Sequence, residues 1–397
     1  MQSDIASGAL VGRSLSAVAS FCVIGLLLVT FAIGAFPAVV PGLVPGYAPD
    51  SEDYAYGAVA LLQGRYVVDW DGIPHVPRYT PGYSALLAPA VAFGGVDAAV
   101  FVPYAFGLVS AMTAALIAWR LAGPLAAPVA AFAVLYAPWA AMLSIRVMSE
   151  VPTSGLLLLE AAALTLGQSR RAVGAAGALA GFLVWVRPAS AILLVAGVVA
   201  SHERSSWQRH AAVYFAGAAP FLVTLALWQW ATFGAPLTTS YQAAGASPDG
   251  SGALSSFFSA QYLLGLPWNT WDSMTPNLFA YPQWLFGMEA WVTFPGLGFL
   301  GLLYWLRYSR SAGARGAFAR FGLATLVLTL AIYLPYFYQS SRFVLAPAAL
   351  LSIGGAACAA SLFTWAWRTW LATPDRWRAV VLRLRGGGTF DRRVARR

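Results

Sequence analysis

Repeated apolar stretches, each close to the length of a bilayer crossing, constrain the fold of this chain more than any other feature of its sequence. About 20 apolar residues in a helix span the roughly 30 Å hydrocarbon core of a membrane. The candidate spans are 15–37, 99–119, 125–144, 152–167, 172–186, 188–201, 211–233, 290–306, 321–337 and 343–367. With 59% apolar and only 10% charged residues, the chain is expected to be an all-α polytopic membrane protein with about ten transmembrane helices.

The distribution of arginine predicts how these spans are oriented. All 24 basic residues are arginine, and basic residues favour loops that stay in the cytoplasm. If the short apolar run 82–95 does not cross, 19 arginines are cytoplasmic and five are outside. The five outer ones are Arg65, Arg78, Arg146, Arg187 and Arg342. If 82–95 did cross, most of the arginine would lie outside.

We therefore predict that 82–95 lies along the membrane surface and that both termini are cytoplasmic. The setting this implies is the plasma (inner) membrane of a bacterium, with the functional face outside. The apolar run after Arg13 is longer than that of a secretory signal, so we expect it to remain as the first span. Loop asymmetry accounts for the net charge of +9, and no nucleic-acid partner is predicted.

The same topology divides the chain into four parts. These are a catalytic membrane module at 1–233 with an outer loop at 38–98, a second outer loop at 234–289, C-terminal spans at 290–367, and a basic cytoplasmic tail at 368–397. The tail is expected to lie near anionic lipid headgroups. Aromatic residues of the second outer loop are typical of an interfacial belt, with a sugar-stacking platform as the alternative. They are Tyr241, Tyr262, Trp268, Trp271, Tyr281 and Trp284.

The first outer loop gathers much of the scarce charge. It begins with Pro49-Asp50-Ser51-Glu52-Asp53-Tyr54 and closes on Arg78-Tyr79-Thr80-Pro81-Gly82-Tyr83. We predict a short helix over 50–63 with Asp50 as its N-cap, since acids at a helix start satisfy free N–H groups and the helix dipole. Capping alone accounts for Asp50 but not for the whole loop, which also holds Arg65, Asp69, Asp71 and His75. The loop is therefore predicted to hold an anionic substrate.

Cysteine and histidine give no metal signal. Cys22 and Cys358 lie inside apolar runs, and His75, His202 and His210 lack ligand spacing. We predict no metal site and no required cofactor, although the acids of the first outer loop would permit a divalent metal.

Several stretches carry a resemblance to a known superfamily. Those in the first outer loop are Asp50-Ser51-Glu52-Asp53-Tyr54, Gln63-Gly64-Arg65-Tyr66 and Arg78-Tyr79-Thr80-Pro81-Gly82-Tyr83-Ser84-Ala85-Leu86-Leu87. Those elsewhere are Arg146-Val147-Met148-Ser149-Glu150-Val151-Pro152, Trp185-Val186-Arg187-Pro188, and Ser341-Arg342-Phe343 with Pro347. Together they resemble the GT-C glycosyltransferases, in the branch of protein O-mannosyltransferases and lipid A aminoarabinose transferases. The resemblance covers about 15–200 and returns near 340, and it implies two juxtamembrane helices in the first outer loop.

The resemblance also implies an activity, which is inverting transfer of a sugar from a polyprenyl-phosphate donor to an acceptor hydroxyl. The family's catalytic carboxylate falls on Asp50. Its second acid falls on Ser51, so Glu52 or Asp53 would have to compensate. Where aminoarabinose transferases place a phosphate-contacting lysine this chain has Tyr79, with Arg78 beside it.

Because phosphate leaves as a stable anion, one general base suffices and cations hold the leaving group. The predicted phosphate-binding residues are Arg78, Arg146, Arg187 and Arg342. The predicted supporting residues are Tyr54, Tyr79, Tyr83, His75 and Glu150.

Simpler roles remain open for several of these residues. Arg146 and Glu150 are four apart and could form only a local salt bridge, or Glu150 could orient Arg146. Arg187 could only extend to the membrane interface. Arg65 is expected to pair with Asp69 or Asp71. Glu160 lies within a predicted span, where an acid usually faces the protein interior or a partner.

Two other classes of function compete with the transferase. A transporter or flippase of lipid-linked glycans predicts ionisable groups at mid-membrane and helices broken in matching halves, whereas here charge concentrates in outer loops. A glycan polymerase or ligase would also use outer arginines, but the Asp-x-x-x-Tyr helix early in the chain is not expected there. The sugar, the acceptor and the polyprenol length are not specified by the sequence.

Overall fold

In the residues that a computed structural model of the protein describes, the secondary structure is helical except for one short hairpin. The model describes residues 2–39, 49–70, 73–167, 169–201, 206–243, 254–265, 275–287, 294–308 and 313–371. The hairpin pairs β1 (Val68–Trp70) with β2 (Ile73–His75) in antiparallel fashion, with Val68 opposite His75. The prediction of an all-α membrane fold is confirmed.

Helices of the N-terminal part follow one another closely. They are α1 (Gln2–Val39), α2 (Pro49–Leu62), α3 (Pro81–Gly94), α4 (Phe101–Ala122), α5 (Ala126–Leu135), α6 (Pro138–Leu143), α7 (Glu150–Leu166), α8 (Arg170–Val186), α9 (Leu194–Ser201) and α10 (Trp207–Phe233). The C-terminal part continues with α11 (Ser240–Ala243), α12 (Leu254–Phe257), α13 (Gln261–Leu264), α14 (Asn277–Phe286), α15 (Pro295–Tyr308), α16 (Ala314–Tyr333) and α17 (Leu345–Leu371). Short 3₁₀ helices lie at Val96–Val100, Pro188–Leu193 and Ser341–Val344.

Five helical segments of the described chain are long and apolar enough to cross a membrane. They are Ser16–Ala35, Val96–Ala122, Trp207–Phe233, Ala314–Tyr333 and Ser341–Trp370. Each predicted span overlaps a helix, and the count of ten crossings stays a prediction.

Two predicted spans have different limits in the structure. The span predicted at 125–144 is broken between Leu135 and Pro138, because a proline holds the preceding Ala137 in an extended conformation (ψ 132°). The span predicted at 321–337 corresponds to α16, which begins at Ala314 and ends at Tyr333. Residues 334–340 instead form a connection between α16 and the 3₁₀ turn Ser341–Val344.

Helices α2 and α3 lie where two juxtamembrane helices were predicted in the first outer loop, and their position at the membrane surface stays a prediction. Helix α2 begins at Pro49, so Asp50 lies inside its first turn and is not the predicted N-cap. The two helices pack through buried Ala55, Ala58, Tyr83 and Leu87.

Helix α3 approaches α8 very closely at Gly82. A Cβ atom on Gly82 would lie 2.7 Å from the backbone nitrogen of Val186 and closer still to the Trp185 carbonyl. Thr80, just before α3, donates its hydroxyl to that same carbonyl. The first outer loop is therefore fixed against the end of α8.

The ends of the long helices define two opposite faces of the bundle. At one face Arg315 Nε donates to the carbonyl of Leu121 at 2.8 Å, and Arg320 Nη2 donates to the carbonyl of Ala200 at 3.1 Å. Helix α16 has 20 residues, so its two ends are about 30 Å apart. The far end, at Tyr333, lies where α7 and α17 begin and α8 ends.

Glu160 lies in the interior of this bundle. Its side chain is fully buried, and Tyr214 on α10 donates a hydrogen bond to Glu160 Oε1 at 2.7 Å. The partner that the sequence left open is thus a tyrosine, and the pair links α7 to α10.

Candidate active site

The ends of several helices bring two arginines to one carboxylate. Glu150 is the first residue of α7, Arg187 follows α8, and Arg342 lies in the 3₁₀ turn before α17. Glu150 Oε1 accepts a hydrogen bond from Arg187 Nη1 at 3.0 Å and lies 3.4 Å from Arg342 Nε. Arg187 Nε also donates to the hydroxyl of Tyr333, the last residue of α16, at 3.2 Å. One buried carboxylate oxygen therefore serves two guanidinium groups.

Asp50 on α2 joins this group from the first outer loop. Its Oδ2 lies 3.1 Å from Arg342 Nη2, and the two side chains are 22% and 18% exposed. The predicted base and a predicted phosphate-binding cation, 292 positions apart in the sequence (342 − 50), are thus in direct contact.

Aromatic rings fix the planes of the two arginines. The Cζ atoms of Arg187 and Arg342 lie 5.0 and 5.4 Å from the ring centre of Phe343, within the range of cation–π attraction. The Phe343 ring stacks on Tyr333 at 4.3 Å, and Tyr338 lies 5.6 Å from the Cζ of Arg342. The guanidinium groups are held before any ligand arrives.

The charge state of the site follows from burial and from its neighbours. Burial alone would lower the pKa of Arg187, but Tyr333 and Glu150 together raise it well above its ordinary value. Burial, with a smaller contribution from Glu150, raises the pKa of Tyr83 well above 10. Arg187 is therefore cationic and Tyr83 neutral throughout the ordinary pH range.

A small cavity, partly open to the outside, lies beside the arginines. It is lined by Glu150, Thr153, Arg187, Ala189, Ser190, Ile192, Leu193, Thr329, Ile332, Tyr333, Arg342, Phe343, Leu345 and Ala346. Three buried atoms of lining residues, Glu150 Oε2, Thr153 Oγ1 and Arg342 Nε, have no hydrogen-bond partner within the described part of the chain. The cavity combines cations with apolar walls, which suits an anion attached to a hydrocarbon group.

A second ion pair lies on the first outer loop. Arg78 Nε donates to Asp53 Oδ2 at 2.9 Å, and the Asp53 side chain is only 2% exposed. Tyr54 stacks on Tyr79 at 4.3 Å and meets Tyr83 edge-on at 4.7 Å. The Tyr54 hydroxyl donates to Ser149 at 3.2 Å, next to Glu150, so this pair adjoins the first cluster.

The remaining predicted site residues lie on α2, on β2 and in the turn before α7. Arg146 is exposed in the turn before α7, and its predicted pairing with Glu150 is wrong because Glu150 turns to Arg187 and Arg342. Arg187 points inward and does not merely reach for the interface. Glu52 is half-buried on α2, and His75 lies on β2.

The predicted partners of Arg65 lie largely outside what the structure describes. Arg65 Nε donates to Gln63 at 3.2 Å. Asp71 and the side chain of Asp69 are outside the described residues, so that prediction stays open.

Sequence reasoning missed Tyr333 and Thr153, which no motif marked, because a tyrosine or threonine near a helix end is common.

The belt prediction for the second outer loop is wrong for two residues, since Tyr262 and Tyr281 are buried. Tyr241 as a side chain, and Trp268 and Trp271 altogether, lie outside the described residues. Within the described chain, no group of three or more His, Cys, Asp or Glu side chains is placed to hold a metal.

Comparison with known proteins by sequence gave no assignment. No family model matches the chain. No curated protein matches it either.

Comparison of the fold gave clear matches among solved structures. The structure of ArnT from Cupriavidus metallidurans bound to undecaprenyl phosphate matches with a TM-score of 0.58 and 15% identity, over 84% of this chain and 59% of ArnT. The oligosaccharyltransferase AglB from Archaeoglobus fulgidus, in complex with an inhibitory peptide and a dolichol-phosphate, matches with a TM-score of 0.56 and 15% identity, over 92% of this chain and 54% of AglB.

The fold is therefore that of the GT-C membrane glycosyltransferases, to which both ArnT and AglB belong. The predicted likeness to this superfamily is confirmed at the level of the fold. ArnT is a lipid A aminoarabinose transferase. The chain spans less than two thirds of the length of either structure.

Proposed function

We propose that this protein is an inverting glycosyltransferase that moves a sugar from a polyprenyl-phosphate donor to an acceptor hydroxyl of a lipid, glycan or protein. The observation that carries the proposal is the contact of Asp50 with Arg342, beside Glu150, Arg187 and a cavity with apolar walls. The GT-C fold supports it, as do matched structures that contain undecaprenyl phosphate or dolichol-phosphate.

In this proposal Arg342 and Arg187 bind the donor phosphate. Without ligand, their two positive charges are balanced by Asp50 and Glu150. An incoming phosphate competes with Asp50 for Arg342, since a bidentate guanidinium–phosphate pair is a strong interaction. Glu150 keeps both guanidinium groups in place during this exchange. Arg78 and the exposed Arg146 are the two further cations proposed to attract the donor phosphate.

Release of Asp50 from Arg342 leaves its carboxylate available as the general base. Asp50 removes the proton of the acceptor hydroxyl, and that oxygen attacks the anomeric carbon opposite the phosphate. The bond from the anomeric carbon to the phosphate oxygen breaks, and the phosphate leaves as an anion held by the arginines. The proton then passes from Asp50 to water. Asp53 fits the base role less well because it is buried against Arg78, and half-buried Glu52 is the reserve candidate.

Sidedness belongs to the same proposal. Arg78, Arg187 and Arg342 lie at one face of the bundle, while Arg315 and Arg320 lie at the other. This separation supports ten crossings, cytoplasmic termini and an active site outside the plasma membrane. Residues 1–233 would then form the catalytic module, joined by Arg342 from the C-terminal spans.

A transporter is disfavoured by the position of the charged groups. The ion pairs of the described chain lie at helix ends, and buried Glu160 is bonded to Tyr214. Arg320, also buried in a candidate span, bonds to the carbonyl of Ala200 near the opposite face. The described groups therefore do not form a continuous path of ionisable side chains across the bundle.

The test of the proposal is the variant Asp50→Asn, assayed with a panel of undecaprenyl-phosphate-linked hexoses and pentoses. General base catalysis contributes about 10²–10⁴-fold, so release of undecaprenyl phosphate should fall at least about 100-fold. Binding of undecaprenyl phosphate should not weaken, because the amide no longer competes for Arg342. Normal turnover in this variant would exclude Asp50 as the base.

A further inference from the structure

Asn277 lies in the second outer loop (234–289), whose described parts we call the second outer segment. It is fully buried, and its side chain bonds to the loop that follows α16. Its Nδ2 donates to the carbonyls of Leu334 and Tyr336, both at 2.9 Å, with a third carbonyl, of Tyr333, at 3.4 Å. Its Oδ1 accepts from Gln339 Nε2 at 2.9 Å. We call residues 334–342 the arginine loop, because they lead from α16 to Arg342.

Gln339 strengthens the attachment from the other direction. It is fully buried, and its Nε2 also donates to the carbonyl of Thr275 at 2.8 Å. One edge of the arginine loop is thus tied to residues 275–277 by side-chain amides.

The opposite edge of the arginine loop is tied by backbone. Ser259 N donates to the carbonyl of Pro335 at 2.8 Å, and Phe337 N donates to the carbonyl of Phe257 at 2.9 Å. Buried Phe257, Tyr262 and Phe337 pack together beneath these bonds. The loop is clamped between two pieces of the second outer segment.

The clamped loop carries a residue of the candidate active site. Arg342 and its neighbour Phe343 complete the cluster of Asp50, Glu150 and Arg187, and residues 334–340 have no helix to hold them. A loop of irregular backbone must find its hydrogen bonds elsewhere, and here a single amide supplies several of them.

We propose that Asn277 is a positioning residue that, together with Gln339, fixes the arginine loop and thereby sets Arg342 for the donor phosphate. The phosphate part of this inference rests on the proposed function. The second outer segment, which no sequence motif explained, acquires a role as the frame of the arginine loop.

The experiment measures hydrogen–deuterium exchange of 334–343 in the full-length protein in nanodiscs, without ligand. Asn277→Leu and the milder Gln339→Met should raise the exchange rate of these amides about tenfold, since buried carbonyls lose their donors. Gln229→Leu, which removes a buried amide from α10, should leave them unchanged. Unaltered exchange in both test variants would overturn the inference.

The affinity for undecaprenyl phosphate distinguishes a positioning role of Asn277 and Gln339 from a general loss of structure. Asn277→Leu and Gln339→Met should weaken it about tenfold in the wild-type background, and by much less when Arg342→Ala is already present. Equal losses in both backgrounds would contradict positioning through Arg342. If exchange rises in the variants but the wild type does not bind undecaprenyl phosphate, the proposed function fails while the clamp stands.

Discussion

Glu150 holds the site together at the scale of single residues, because one of its oxygens serves both Arg187 and Arg342. All three side chains are less than one fifth exposed, so solvent screens their attraction weakly. Removing the carboxylate takes from Arg187 the acid to which it is bonded and leaves Arg342 with Asp50 alone.

We predict that Glu150→Gln lowers the free energy of unfolding by about 3 kcal/mol, the scale for breaking a buried ion pair. A denaturant titration of the purified protein measures this difference. Glu52→Gln is the matched control, since Glu52 is half-buried and makes no ion pair with described residues. Equal stability of the Glu150→Gln variant and the wild type would show that the arginines do not depend on this acid.

The charged residues of the site were predictable from sequence, but their pairing was not. Charged residues that contradict the arginine bias identified Arg78, Arg187 and Arg342, and the acidic run identified Asp50. The local spacing of Arg146 and Glu150 predicted a pair that does not form, because the ends of α8 and α17 bring stronger partners. Asn277 gave no signal, since an amide in an aromatic-rich segment acquires its role only in the folded chain.

At the scale of elements, the position of helix α3 depends on its close approach to α8. The backbone of Gly82 lies close to that of Trp185 and Val186, and this contact places Arg78 and Tyr79, where the charged stretch of the first outer loop ends. No side chain fits there.

The variant Gly82→Ala should therefore destabilise the protein by about 1–3 kcal/mol, the range for overpacking, and should weaken undecaprenyl phosphate binding by shifting α3. Gly25→Ala on α1 is the control, because a Cβ there meets nothing within 4 Å. Thermal unfolding and lipid binding measure the two effects. A stable Gly82→Ala protein with normal binding would show that the contact is not needed.

Helices were predicted from the sequence where an apolar run, or a proline and a glycine at its two ends, determined their extent. Helices α2 and α3 appeared as expected, because Pro49 and Pro81 begin them and Gly64 and Gly95, both at φ 75°, follow their ends. The break at Pro138 and the early end of α16 were missed, since an apolar run does not show where its backbone leaves the helix.

At the scale of the whole molecule, we predict which face of the bundle is outside the membrane. With Cys22 and Cys358 replaced by serine, single cysteines introduced by Gln63→Cys and Leu125→Cys probe exposed positions at the two faces. A membrane-impermeant maleimide should label the first in intact cells and the second only after permeabilisation. The reverse result would place the site in the cytoplasm.

The fold as a whole was predictable from a few motifs despite the 15% identity to its structural matches. This is possible because the lipid environment requires helices, and because the arginines in the connecting loops determine the direction in which each helix crosses. The second outer segment escaped prediction since neither constraint acts on it.

The most direct test of the account is the affinity of the full-length protein in nanodiscs for undecaprenyl phosphate, compared between Arg342→Ala and Arg307→Ala. Arg307 is an exposed arginine in the last turn of α15, where Trp305 lies against Arg315 at the face opposite Asp50. Loss of a charge-assisted phosphate contact predicts at least about tenfold weaker binding for Arg342→Ala and no change for Arg307→Ala. Equal affinity in both variants and the wild type would contradict the assignment of Arg342 to the donor phosphate.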